Sequence, residues 1–201
     1  MKKQILTIII ANLIALALVG CNELKDSRDG KIYRTVKIGH QVWMAENLNY
    51  KMEDSYCYED NPKNCKYYAR LYKWNAAFEA CPAGWHLPSK KDFRTLFQTV
   101  GGRIIDEKYG TGAAKNLKYK NGWHKNGNGI DAFGFAAIPA GHKADYNSYG
   151  WLGYEAEFWS STESDHWRKR AYQVFIKYDK DDAELSEANK GYGFSVRCLK
   201  D

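Results

Sequence analysis

The sequence predicts an α+β fold, on three observations. Two helix patterns lie close together in the middle of the chain, and alternating strand patterns dominate its end. The connections between them run to about 15 residues or more, a length that in a compact domain is either functional or cross-linked. From Lys31 to Asp201 there is no Pro/Ser linker, low-complexity run or internal repeat, so this stretch forms one domain around one core.

The chain opens with Met1-Lys2-Lys3, continues through an apolar run from Ile5 to Val19, and reaches small Gly20 before Cys21. A basic start, a short apolar centre and a small-residue end make residues 1–20 a secretory signal, too short for a comfortable membrane span. Leu18-Val19-Gly20-Cys21 resembles the bacterial lipobox, which implies a lipid on the Cys21 thiol and further acylation of the new amino terminus. Each buried methylene contributes about 0.8 kcal/mol, so several acyl chains anchor durably. Asn22, rather than Asp, after the cysteine implies the outer membrane by resemblance to proteobacterial sorting signals. Residues 21–30 are polar and aperiodic and are expected to form a lipidated tether. The membrane would be one partner, reached through the N-terminal lipid.

Along the domain, Ile32, Arg34, Val36 and Ile38 alternate with Tyr33, Thr35 and Lys37 as a strand does. Leu71, Trp74, Ala77, Phe78 and Cys81 recur at helical spacing, which predicts a helix over 68–80 stopped by Pro82-Ala83-Gly84. Ser89 is a good N-cap with Asp92 three residues on. Phe93, Leu96, Phe97 and Val100 form the apolar face of a second helix, ended by Gly101-Gly102. Strands are expected at 134–138, 157–161, 171–178 and 194–198. Asp179-Lys180-Asp181-Asp182 is expected to be a solvated hairpin. Trp43, Trp74, Trp85 and Trp159 fall inside patterned elements and are assigned to the core.

Four cysteines remain after Cys21, an even number in an oxidising compartment, and they allow three connectivities. Cys57 and Cys65 bracket a turn-rich segment able to bring its ends together, which leaves Cys81 with Cys198. In the chain-entropy model the longer link contributes about 4 to 5 kcal/mol.

Several motifs, in order, resemble the Fibrobacter succinogenes major paralogous domain. They are Asp29-Gly30-Lys31, Thr35-Val36-Lys37-Ile38-Gly39, Gln41-Val42-Trp43-Met44-Ala45-Glu46-Asn47-Leu48-Asn49-Tyr50, Cys81 to Ser89, Gly134-Phe135 with Pro139-Ala140-Gly141, Phe158-Trp159-Ser160-Ser161-Thr162 and Ser195-Val196-Arg197-Cys198. The resemblance implies an exported, often lipidated bacterial domain of C-type lectin-like fold, in which two helices flank a twisted antiparallel sheet with long loops. The Glu-Pro-Asn, Gln-Pro-Asp and Trp-Asn-Asp triplets of calcium-dependent lectins are missing. The reactive cysteine pair of formylglycine-generating enzymes, which share the fold, is not expected either, since the four cysteines are assigned to disulfides.

No spacing nominates a catalytic residue, a metal ligand or a cofactor. His86 is assigned a hydrogen-bonded structural role, and His40, His124, His142 and His166 are scattered through the chain. The formal charge of +6 falls to +4 once Lys2 and Lys3 leave with the signal, and both signs interleave, which argues against nucleic acid as a partner. The segment 142–157 differs: tyrosine, serine, glycine and asparagine with one tryptophan is the composition of a recognition loop. Tyr146, Tyr149, Trp151 and Tyr154 are therefore the expected ligand-binding residues, with Asp145, Asn147 and Glu155 available to sugar hydroxyls. The expected function is a lipid-anchored envelope module that binds a polysaccharide or another surface polymer, an envelope protein being a possible partner. The alternatives are a structural lipoprotein without a discrete ligand and, further off, an enzyme of the formylglycine-generating type. Replacing Cys21 with Ser is expected to abolish partition of the protein with membrane lipids in detergent phase separation; unchanged partition would remove the lipidation site.

Overall fold

The computed structural model describes residues 23–104, 109–145 and 148–201. Two five-stranded antiparallel sheets organise the chain. The first uses β1 (Glu23–Lys25), β2 (Ile32–Ile38) and β3 (Gln41–Met44) from the start of the chain, and the ends of the domain meet in it. A short pair of strands, β4 (Ser55–Tyr56) and β5 (Leu71–Tyr72), encloses helix α1 (Pro62–Tyr68). Helix α2 (Trp74–Ala80), β6 (Trp85–His86) and helix α3 (Lys90–Thr99) follow. Next come β7 (Arg103–Ile104), β8 (Tyr109–Thr111) and the short helix α4 (Ala113–Leu117). A two-stranded ribbon, β9 (His142–Lys143) with β10 (Tyr149–Gly150), leads into β11 (Glu155–Glu163), β12 (Arg170–Lys177) and β13 (Ala183–Asn189). The last strand, β14 (Leu199–Lys200), enters the first sheet between β3 and β6.

The second sheet is covered on both faces, and this divides the core. Phe158, Val174 and Ile176 join Phe93, Leu96 and Phe97 of α3 in one cluster. Trp159 and Ala171 point the other way, to Trp74, Ala77, Tyr72 and Phe194 in a second cluster. Strict alternation along β11 therefore sends neighbouring aromatics into different halves of the core. The buried tryptophans keep their donors satisfied: Trp159 Nε1 donates to Tyr72 O at 2.7 Å and Trp74 Nε1 to Ser160 O at 2.8 Å. Trp43 is fully buried and Trp85 half-buried against the second cluster.

Helix α3 forms as its signals predict. Ser89 Oγ accepts from Asp92 N at 3.2 Å and Asp92 Oδ2 accepts from Ser89 N at 2.9 Å, a closed capping box. The helix expected over 68–80 is shorter. Ala69, at φ 65°, ends α1, and Leu71 and Tyr72 are extended, buried and paired with β4; only Trp74–Ala80 is helical, with Phe78 facing solvent. Helix α1 has its own start signal, Asn61 capping Lys63 N with Pro62 in the first turn. No strand forms at 134–138, where Gly134 and Ala136 take positive φ and only Ala137 bridges to Lys118. The 194–198 segment makes isolated bridges rather than a strand, Phe194 with Tyr72 and Ser195 with Phe158, while Cys198 O accepts from Met44 N and Val196 O from Leu48 N. The 157–161 strand lies within β11, the 171–178 strand coincides with β12 up to Lys177, with Tyr178 already in the turn, and the acidic hairpin joins β12 to β13.

Both disulfides have the expected partners, Cys57 with Cys65 and Cys81 with Cys198, the second closing a separation of 117 residues. The tether reading needs correction. Residues 23–25 form β1 against β2, Leu24 is buried, and Asp26 is fully buried. Asp26 accepts from Arg28 N, Nε and Nη2 at 3.0, 2.9 and 2.7 Å. Arg28 in turn donates to Ala80 O at the end of α2 and lies over the Tyr50 ring. A local charge pair thus clamps this polar segment to the domain. Cys21 lies outside the described residues.

The Arg28 hydrogen bonds hold the Asp26 carboxyl below the usual carboxylate range. A depressed acid stabilises the fold above its unfolded value, about 4, and loses that contribution as pH falls through the lower folded value. Asp26→Asn is expected to cost about 1 to 3 kcal/mol at pH 7. In urea titrations the gap from wild type should narrow below about pH 4. A gap independent of pH would show that the clamp is not electrostatic.

Candidate functional site

Residues 139–145 and 148–155 are mostly irregular but are held by specific contacts. Gly141, at φ 61°, lets the ribbon fold over the following turn. A Cβ there would stand 2.3 Å from Gly150 O and 2.7 Å from Leu152 N. Gly141 N donates to Glu155 O and Gly153 N to Pro139 O, and Tyr154 N and Glu155 N both donate to Trp151 O. The result is a closed turn that presents Trp151.

Trp151 is 56% exposed and holds φ at 64°. Positive φ is a genuine outlier for a bulky residue and is maintained only where surroundings over-determine it. Here the support is aromatic. Trp151 meets Tyr154 edge-on, centroids 6.1 Å apart; Tyr154 stacks on His124 at 4.0 Å and meets Tyr178 edge-on at 5.4 Å. Tyr149 is occupied elsewhere: its ring lies 5.3 Å from Tyr58 and its hydroxyl donates to Asp60 Oδ1 at 2.8 Å. Burial and the Asp60 hydrogen bond keep that phenol well above its usual pKa. Tyr146 and Asn147 lie outside the described residues. Of the expected aromatics, then, Trp151 and Tyr154 stand together, while Tyr149 packs on a separate loop.

Beneath the turn lies a group that sequence spacing does not show. Glu155 and Glu157, two apart on β11, project to one face, and His142 on β9 closes over them. The ligand-capable atoms of the three all lie within 4.8 Å of one another. His142 Nδ1 is 2.7 Å from Glu157 Oε1, and Lys177 Nζ is 3.9 Å from Glu155 Oε1. Both carboxylates are almost fully buried, at 5% and 3% exposure, so Glu155 does not face solvent as a contact for sugar hydroxyls. Burial, and then the Glu157 charge, push the Glu155 carboxyl up to about 7. Burial disfavours charged His142, but the Glu157 hydrogen bond and charge prevail and raise its pKa. The scattered histidines thus include one that belongs to a constellation. Glu155 and Glu157 share a strand face, a signal present in the sequence; the hairpin that brings His142 to them is not.

A separate surface cleft of about 440 Å³ is lined by Ile32, Tyr67, Tyr119, Asn47, Asn49 and Lys31 among others, with Tyr67 the most exposed large apolar side chain of the described residues at 71%. None of the sequence-selected aromatics lines it. His86 is a surface residue bonded to Asp201 Oδ1 at 2.6 Å, in keeping with its structural assignment. Among the described residues no helix is long and apolar enough to cross a membrane.

These features define a disulfide-stapled α+β domain whose irregular connections carry its surface chemistry. Residues 36–200 match the family model of the Fibrobacter succinogenes major domain, and the chain belongs to that family. No curated protein and no solved structure matches it.

Gly141→Ala is expected to destabilise the domain by about 2 kcal/mol or more, because both the positive φ and the two backbone contacts oppose a methyl group. Thermal unfolding together with near-ultraviolet circular dichroism of the tryptophans checks it; an unchanged midpoint would show that the turn is less constrained than its contacts indicate.

Proposed function

We propose that this protein is a lipid-anchored binding module of the bacterial cell envelope, of C-type lectin-like fold, which recognises a polysaccharide or another surface polymer through Trp151. The observation that carries the reading is an exposed tryptophan held in a strained backbone on the Tyr154, His124 and Tyr178 rings. Apolar sugar faces stack on such rings, and a rigid platform binds with little loss of side-chain freedom. The meeting of early and late strands in one sheet supports the lectin-like assignment. Pairing of all four domain cysteines favours binding over formylglycine-type chemistry, which requires free thiols.

The reading of a structural lipoprotein without a ligand draws on Tyr149, which is committed to Tyr58 and Asp60. Retention of the full-length chain on cellulose, mannan and purified peptidoglycan separates the two. Wild type is expected to bind at least one of them. Trp151→Ala should weaken that binding about tenfold or more while the thermal midpoint stays within a few degrees. Tyr149→Phe should leave it unchanged. Retention by none of the three, or equal retention of the Trp151→Ala protein, would favour the structural reading, and loss on Tyr67→Ala alone would move the site to the cleft beside Tyr67.

A further inference from the structure

We infer that His142, Glu155 and Glu157 form a binding site for a first-row divalent transition ion, zinc foremost. The ligands sit on β9 and β11, which the Gly141 N to Glu155 O hydrogen bond ties together next to His142. The His142 ring is further held between Tyr192, nearly parallel with centroids 6.0 Å apart, and the edge of Phe194 at 6.1 Å. Zinc bonds to imidazole nitrogen and carboxylate oxygen at about 2.0 to 2.2 Å, so tetrahedral ligand atoms stand about 3.4 Å apart. Atoms already within 4.8 Å reach that spacing by rotation of the glutamate side chains, with β11 in place.

Charge points the same way. Two carboxylates lie buried side by side, and the ammonium of Lys177, 43% exposed, reaches only to 3.9 Å of one of them. The His142 ring, 2.7 Å from Glu157 Oε1, can offset at most one of these charges, whereas a dication held by the imidazole and both carboxylates offsets both, which a buried site favours. A nitrogen ligand among two oxygens suits zinc, manganese or ferrous iron over calcium and magnesium, which prefer oxygen alone.

An independent observation lies on the neighbouring wall. Gln173 is 7% exposed, and its Oε1 is a buried side-chain atom without a hydrogen-bond partner; its Nε2 donates to Ser186 Oγ at 3.3 Å. Gln173 and Glu157 line one cleft of about 300 Å³, together with Tyr192 and Phe194, the two rings that hold His142. Three protein ligands leave a coordination position for water. A water bound there would carry polarised hydrogens into a cleft whose wall offers an unused amide oxygen. The site shares no residue with the cleft beside Tyr67 or with Trp151.

The test is calorimetric titration of zinc chloride into the full-length chain, in detergent, after chelator treatment, with millimolar calcium and magnesium present. One zinc per chain is expected, with a raised thermal midpoint. Glu155→Gln and Glu157→Gln should each weaken binding at least about tenfold, as loss of a ligand or its support does, and Asp181→Asn should not change it. No zinc uptake by wild type, or uptake that survives both glutamine variants, would overturn the proposal. Cobalt added to the wild-type chain reads the ligand set even if a variant fails to fold. Visible bands of a nitrogen and oxygen site, with a metal-induced shift of the His142 ring resonances, support the assignment; bands without any shift at His142 refute it.

Discussion

The buried guanidinium of Arg197 is the contact on which the rest of this structure depends. It is fully buried, and among the described residues its hydrogen-bond partners are an amide and backbone carbonyls rather than a carboxylate. Nε donates to Asn47 Oδ1 at 2.7 Å, Nη1 to the carbonyls of Met44 and Phe135, and Nη2 to Ala136 O at 2.8 Å. The Phe135 and Phe158 rings lie beside its charge, at 4.7 and 5.4 Å. Burial pulls its pKa down to about 9, so it remains a cation at neutral pH. Its acceptors come from the start and the middle of the domain, and the arginine itself from the end. A planar five-donor group can serve both regions at once, and a lysine cannot. Asn47 extends the network by donating to Tyr68 O and to Ser195 Oγ.

That arrangement explains why so much of the chain can be irregular and still fixed. The carbonyls of Phe135 and Ala136 turn inward to Arg197, and this is why 134–138 does not continue as a strand despite its apolar pattern. The neighbouring residue, Cys198, is tied to Cys81 at the end of α2. Two adjacent residues therefore hold the last segment to both halves of the core, one through hydrogen bonds and the other through a covalent link. Loops between these points need only local support, such as the aromatic stack under Trp151 or the Asp26 clamp.

The legible parts of the sequence were those governed by local rules. Ser89 and Asp92 announce α3, the alternation from Ile32 to Ile38 announces β2, and the four cysteines pair as their spacing suggests. The misread parts are those where tertiary contacts override spacing. Leu71 sits at helical distance from Trp74, but its burial against β4 makes it a strand residue. Residues 22–30 look like a solvated linker because Asp26 and Arg28 are polar, although buried Asp26 is satisfied by Arg28 at the surface of the fold. The aromatic segment was recognisable by composition, but only the turn closed by Gly141 shows that Trp151 faces solvent while Tyr149 turns to Asp60. His142 could not be joined to Glu155 and Glu157 from spacing, since the juxtaposition depends on the ribbon register.

The docking of β1 against β2 alters how such a domain would meet a membrane. With a lipid on Cys21, only Asn22 separates the acylated residue from a strand already paired in a sheet. A body so anchored would stand on the bilayer like a post on a plate, with almost no leash to swing on. Its reach would be its own width, about 40 Å for a compact domain of this size. A polymer bound by it would have to pass within that height, and the angle at which β1 left the surface would decide which side of the molecule was turned to it.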